Sequence, residues 1–283
     1  MKSFIGKTLT RRCFHNPIFV IGASRSGTSV LLQALGRHPL IMSMPGEAPF
    51  ITSIGGAVCL FEFDEAKDYY QRSLRYPKAY LYDSLRSLCF EYAAGQNYGL
   101  KAILKGLMNF DTTYLKKRYW CSKTFPDYIV SRALIRLYPS VRFIYIIRNG
   151  CDVVHSMTQF SGFRHQEFED QCRRWAQAVD KYSFLLELEC AVQVRHEKLV
   201  AQPEKFFIHL FNFLEIENNG NSASFVKKNM VHPLDKPTRA GVDVKEVFRY
   251  RKSSYEDWTN EQRTTFKRIC GEKMIKLGYE IPF

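Results

Sequence analysis

The sequence predicts an α/β fold, a P-loop-like parallel β-sheet with helices on both faces. Three observations predict it. Short apolar runs that suit buried strands recur at residues 17–21, 141–147 and 191–195, and each leads into a helical pattern. The first run opens into a glycine-bounded turn, Gly22-Ala23-Ser24-Arg25-Ser26-Gly27-Thr28-Ser29, followed by the helical Val30-Leu31-Leu32-Gln33-Ala34-Leu35. The second leads through Arg148-Asn149-Gly150-Cys151-Asp152 into a helix that carries Ser156.

In chain order, the first strand and helix are followed by a Pro/Gly-containing link, Pro45-Gly46-Glu47-Ala48-Pro49. A largely helical stretch over residues 64–94 comes next, broken at Gly95 to Gly99, and then a basic helical segment over 100–118. Tyr119-Trp120-Cys121-Ser122-Lys123 reads as a short strand, and Pro126 starts a helix that runs through Leu137 and ends before Pro139. Beyond the 141–147 strand and its helix, a long helical segment covers 165–189. Residues 191–195 are a further strand, and Pro203 starts a helix ending near Leu214. Asn218 to Asn221 and Pro233 to Val244 read as loops. Thr259 with Gln262 predicts a capping box for a C-terminal helix closed by Gly278. Residues 1–16 form a basic segment with Lys2, Lys7, Arg11, Arg12 and no acid, and 17–283 read as a single domain.

The turn after the first strand points backbone N–H groups at one spot, where the helix dipole adds positive potential, so it suits a phosphate. Its glycine spacing is that of a Walker A loop, but Thr28-Ser29 stand where Lys-Ser/Thr is expected, and the cation is Arg25 inside the turn. A nucleotide whose chemistry does not centre on a Mg-bound γ-phosphate fits this pattern. Arg148, at the carboxyl end of its strand, and Ser156, in the early turns of the next helix, suit a second phosphate.

Paired in this order, the Arg-Ser-Gly-Thr-Ser loop and Arg-x-Gly-x-Asp-Val-x-x-Ser resemble the sulfotransferases that use 3′-phosphoadenosine 5′-phosphosulfate. The chain is nearest to their tyrosylprotein-sulfotransferase-like and bacterial branch. The resemblance runs from about Ile18 to Tyr279 and implies the sulfotransferase fold and in-line transfer of a sulfuryl group to an acceptor hydroxyl or amine. It implies that Ser24, Arg25, Ser26, Gly27, Thr28 and Ser29 hold the 5′-phosphosulfate, with Arg25 on the oxygens where charge builds. Arg148 and Ser156 would hold the 3′-phosphate. Glu47, after a Gly46 turn, matches a catalytic glutamate, and Lys123 matches a lysine that neutralises the sulfuryl group. His196, in Arg195-His196-Glu197-Lys198-Leu199, would meet adenine, while Arg249 and Arg251 belong to a basic cluster over the donor. A histidine base, from among His38, His155 and His165, stays open beside Glu47.

The chain departs from the pattern in two places. Val30 stands where many cytosolic members carry tryptophan. Ala48-Pro49-Phe50 replace the basic residues that grip acidic peptides in the tyrosylprotein enzymes. Small-molecule, lipid, carbohydrate and peptide acceptors all remain open.

Composition sets further bounds. At 46% hydrophobic and 24% charged, the 283 residues are ordinary for a globular protein. The net charge of +13 suits a polyanionic donor or an anionic membrane surface touched peripherally. No nucleic-acid-binding signature accompanies the charge, and no apolar run is long enough to span a membrane. The eight cysteines show neither Cys-x-x-Cys nor zinc spacing, so a reduced, cytoplasmic protein with no metal requirement is expected. Two other readings stand against the sulfotransferase: a P-loop kinase or NTPase, and a non-catalytic anion-binding protein of the same fold.

Overall fold

The structure, a computed structural model, describes residues 15–95, 117–230 and 255–283. Its first half runs β1 (Pro17–Ile21), α1 (Thr28–Leu35), β2 (Ile41–Glu47), α2 (Pro49–Glu62), α3 (Lys67–Arg72), α4 (Lys78–Gly95), β3 (Tyr119–Lys123) and α5 (Tyr128–Leu137). The second half runs β4 (Arg142–Ile147), α6 (Gly150–Gln159), α7 (Phe168–Tyr182), β5 (Ala191–Arg195), α8 (His196–Ala201), α9 (Pro203–Leu214), α10 (Asn221–Met230) and α11 (Asn260–Lys276). The strands hydrogen-bond in the order β2-β3-β1-β4-β5, with β1 and β2 each parallel to β3. The predicted α/β class holds. β1 is buried at all five positions, as an unbroken apolar strand with a neighbour on either side must be.

Contacts gather the chain into two compact units. The first comprises Met1–Ile21, Leu31–Ile144 and Glu187–Ala191; the second comprises Gly22–Val30, Tyr145–Leu186 and Val192–Phe283. In the first, Phe19 on β1 meets Trp120 edge-on at 5.6 Å and Phe143 at 5.9 Å, while Tyr138 and Phe90 pack on Trp120 at 6.3 and 6.1 Å. These rings fill the core with large apolar area in geometries that favour aromatic pairs. In the second, Trp175, Phe266 and Trp258 form the core, and Gly150 opens α6 directly against the Trp175 ring.

Several boundaries differ from expectation for identifiable reasons. Residues 45–47, expected in a link, complete strand β2, which shifts register against β3 between Ser43 and Glu47. β2 is an edge strand, where a proline's missing N–H breaks no ladder bond. The helical stretch begins at Pro49, in the first turn of α2, and divides into α2, α3 and α4. Pro126 stands one residue before the N-cap of α5. The cap is Asp127, whose carboxylate accepts the Val130 N–H at 2.8 Å. The segment expected as one helix over 165–189 is α7 followed by a 3-10 turn at Ser183–Glu187.

The capping box at Thr259 and Gln262 forms in both directions, and Gly278 closes α11 at φ +69°. The basic segment over 100–116, the loop from Pro233 to Val244 and most of the N-terminal stretch lie outside the described residues.

Candidate active site

The loop between β1 and α1 is shaped by two residues in the left-handed region, Arg25 at φ +68° and Gly27 at φ +91°. Ser26 N–H bonds back to Ala23 O at 3.1 Å, so the chain reverses tightly before Thr28 starts α1. Gly22 admits no side chain, because a Cβ there would lie 2.5 Å from Ile146 O on β4. Ser24, Thr28 and Ser29 are half-buried, and Ser26 is 1% exposed, with its Oγ lacking a protein partner. A buried hydroxyl left without a partner costs about 1–3 kcal/mol, so its retention beside a helix N-terminus fits an anion that completes it.

The second motif belongs to the same unit. β4 ends at Ile147, Arg148 follows, and Asn149 caps α6 by accepting the Cys151 N–H at 2.9 Å. Arg148 Nη1 donates to Arg25 O at 3.0 Å, and its Nη2 lies 3.7 Å from Asp152 Oδ2. Its Nε is a second buried donor without a protein partner. Arg25 Nε donates to Ser156 Oγ at 3.2 Å. The two motifs expected to grip a doubly phosphorylated nucleotide therefore converge, and Arg25 lies beside Ser156 rather than apart from it.

Two residues were not singled out in the sequence. Asp152 steadies Arg148 from the next helical turn. Glu197 accepts the Asn149 N–H at 2.8 Å and the Tyr279 hydroxyl at 2.9 Å, which ties the turn after Arg148 to the C-terminal segment. The four-residue step from Arg148 to Asp152 was the available signal for the first. Nothing local signalled the second.

His196, expected against adenine, is 3% exposed, and its ring edge packs on Gly27, where an added Cβ would run into His196 Cδ2. In this position the ring is a wedge beneath the phosphate loop. Burial, reinforced by the Arg148 charge, pushes its pKa down to about 3. The unfolded chain therefore takes up the proton first as pH falls below the ordinary histidine value. Stability held at neutral pH is lost progressively toward pH 3, by about 2 kcal/mol between pH 7 and pH 5 from this group. Urea unfolding at those two pH values should show this loss in the wild type and a correspondingly smaller one in His196→Leu. Equal losses in the two proteins would refute the assignment.

The other unit brings together Glu47 and Lys123. They end β2 and β3 and sit opposite each other in the register, with Lys123 Nζ 3.5 Å from Glu47 Oε1. The lysine side chain is 12% exposed and the carboxylate 61%. Ala48 N–H donates to Lys123 O at 2.9 Å and continues the pairing past the strand ends. Beside them, the Thr52 and Thr124 hydroxyls lie 3.0 Å apart. Arg249 and Arg251 lie outside the described residues. Among the described residues no group of three or more His, Cys, Asp or Glu could hold a metal ion, and no helix is long and apolar enough to cross a membrane. The seven described cysteines are free thiols.

Residues 17–219 match the profile of the sulfotransferase family. The chain is 23% identical over 241 residues to a protein-tyrosine sulfotransferase of Drosophila melanogaster, covering 80% of this chain and 44% of that protein. It is 29% identical over 206 residues to protein-tyrosine sulfotransferase 2 of Gallus gallus, covering 70% of this chain and 51% of that protein. The chain spans about half, or less, of the length of the curated relatives it matches. Among solved structures, a mouse sulfotransferase complexed with PAP superposes with a TM-score of 0.51 at 16% identity, over 95% of this chain and 88% of that one. At that identity the likeness is one of fold.

Proposed function

Because this chain belongs to the sulfotransferase family, we propose that it transfers a sulfuryl group from 3′-phosphoadenosine 5′-phosphosulfate to an acceptor hydroxyl by in-line displacement. One observation carries the reading. A single unit holds two converging anion motifs in which two buried donors, Ser26 Oγ and Arg148 Nε, lack any protein partner. A nucleotide with phosphates at its 3′ and 5′ positions supplies acceptors of the right charge to both. The kinase reading finds no such support, since Thr28 occupies the place of the P-loop lysine.

The donor, when bound, supplies the labile sulfuryl group and a phosphate leaving group. The chain's residues bind, orient and move the proton. Backbone N–H groups of the loop and the hydroxyls of Ser24, Ser26, Thr28 and Ser29 take the 5′ end; Arg148 and Ser156 take the 3′-phosphate. Glu47 accepts the acceptor's hydroxyl proton at its carboxylate, which Lys123 orients from 3.5 Å. Lys123 also supplies positive charge as the transferred oxygens separate from the leaving group. The acceptor carries a phenolic hydroxyl. The likeness to protein-tyrosine sulfotransferases supports that acceptor class.

Glu47→Gln should lower kcat by roughly 10²–10⁴ while leaving binding of 3′-phosphoadenosine 5′-phosphate unchanged, as read by calorimetry and by transfer of labelled sulfate to a panel of phenols and peptides. Unaltered turnover would remove Glu47 from the reaction. Tighter binding of ATP·Mg than of the bisphosphate by the wild type would overturn the sulfotransferase reading itself.

A further inference from the structure

We propose that the cleft beside the edge strand β5 is a second ligand site, one that takes a small aryl anion: an aromatic ring with a sulfonate, sulfate or carboxylate head. The cleft has a volume of about 330 Å³, within the range of small-ligand sites. Every residue lining it belongs to the second compact unit, and none belongs to either anion motif. The assignment stands apart from the sulfotransferase reading, so either can fail alone.

Tyr145 on β4, Val179 on α7, Leu186 in the 3-10 turn and Leu277 after α11 form an apolar wall. The Tyr145 ring meets Tyr182 edge-on at 6.0 Å, while Leu186 stays exposed. Such a wall suits a flat apolar body. Arg195 and Lys276 supply the charge. Among the described residues no carboxylate lines the cleft, and neither cation forms an ion pair. The Asp180 carboxylate, on the last turn of α7, is taken by Lys273 at 2.9 Å.

Arg195 is held in place without being neutralised. Its Nη2 donates to Leu277 O at 2.5 Å, and its Cζ stands 4.6 Å from the centre of the Tyr279 ring. Gly278 leaves room for it, since a Cβ there would come within 3.1 Å of Arg195 Nη2. A planar guanidinium fixed in this way loses little freedom on meeting an anion. Lys276, exposed on the last turn of α11, adds a second positive charge. The Gln193 amide, two residues before Arg195 on the same face of β5, adds a neutral donor. Two cations beside an apolar wall select a charged head and a ring together, where either alone would bind weakly.

The test titrates the full chain with benzenesulfonate by calorimetry, with and without saturating 3′-phosphoadenosine 5′-phosphate. One equivalent should bind in both cases. Benzenesulfonamide, the neutral counterpart, and methanesulfonate, which lacks the ring, should each bind about tenfold more weakly. Lys276→Glu should weaken benzenesulfonate by at least about tenfold with Tm unchanged, because the side chain is exposed. Lys228→Glu, an equal change of net charge at an exposed position on α10 that does not line the cleft, should leave its affinity within about twofold. Arg195→Gln should match Lys276→Glu, and Lys276→Glu carries the test if losing the Leu277 and Tyr279 contacts lowers the Tm of Arg195→Gln. Equal affinity for sulfonate and sulfonamide, unaltered affinity in Lys276→Glu, or equal losses in Lys276→Glu and Lys228→Glu would overturn the assignment. So would displacement of benzenesulfonate by the nucleotide, or no binding to the wild type at millimolar concentration.

Discussion

Gly27→Ala should disable the phosphate loop more thoroughly than loss of any single hydroxyl within it. Two effects act together at this position. The backbone sits at φ +91°, where an L side chain is strained, and the new Cβ is driven into His196 Cδ2. His196 is 3% exposed and has nowhere to withdraw, so the clash must be relieved by moving the loop. Left-handed strain and overpacking together cost roughly 2–4 kcal/mol, a large share of a typical domain's stability. Chemical denaturation should register that loss, and calorimetry should find no binding of 3′-phosphoadenosine 5′-phosphate. Adding His196→Ala removes the obstacle but not the strain, so the double variant should recover part of the stability. A double variant no more stable than Gly27→Ala alone would show that the His196 contact is not what Gly27 protects.

Arg148→Ala should weaken the same nucleotide by on the order of a hundredfold, the worth of a charge-assisted hydrogen bond to phosphate in a partly desolvated site. The side chain is 12% exposed, bonds Arg25 O and faces Asp152. Its removal deletes one cation and leaves the Asp152 carboxylate facing the anion. Arg148→Ala/Asp152→Asn should therefore bind better than Arg148→Ala alone. If Arg148→Ala binds as tightly as the wild type, the proposed 3′-phosphate site is misplaced.

Local pattern carried much of this architecture. The apolar runs of β1 and β4 were readable because burial on both faces demands unbroken hydrophobic sequence. The capping box of α11 was readable because its two hydrogen bonds involve residues three apart. β2 was not. Its Pro45-Gly46 pair reads as a link, and only its place at the sheet edge makes that composition tolerable in a strand. With β2 hidden, the opposition of Glu47 and Lys123 was hidden too, since cross-strand register is a property of the pair and not of either segment.

By itself the sequence determined the strand–turn–helix form of both anion motifs and the residue types in them, because glycine-bounded turns, caps and buried strands are encoded within a few neighbouring positions. Tertiary structure alone decided that Arg25 lies along Ser156 and Phe160, that His196 is a wedge under Gly27, and that Glu197 fastens the turn after Arg148. The reason is physical. A side chain's direction and burial depend on which distant segments pack around it, and contacts spanning 48 to 169 positions leave no trace in the local pattern that builds each element.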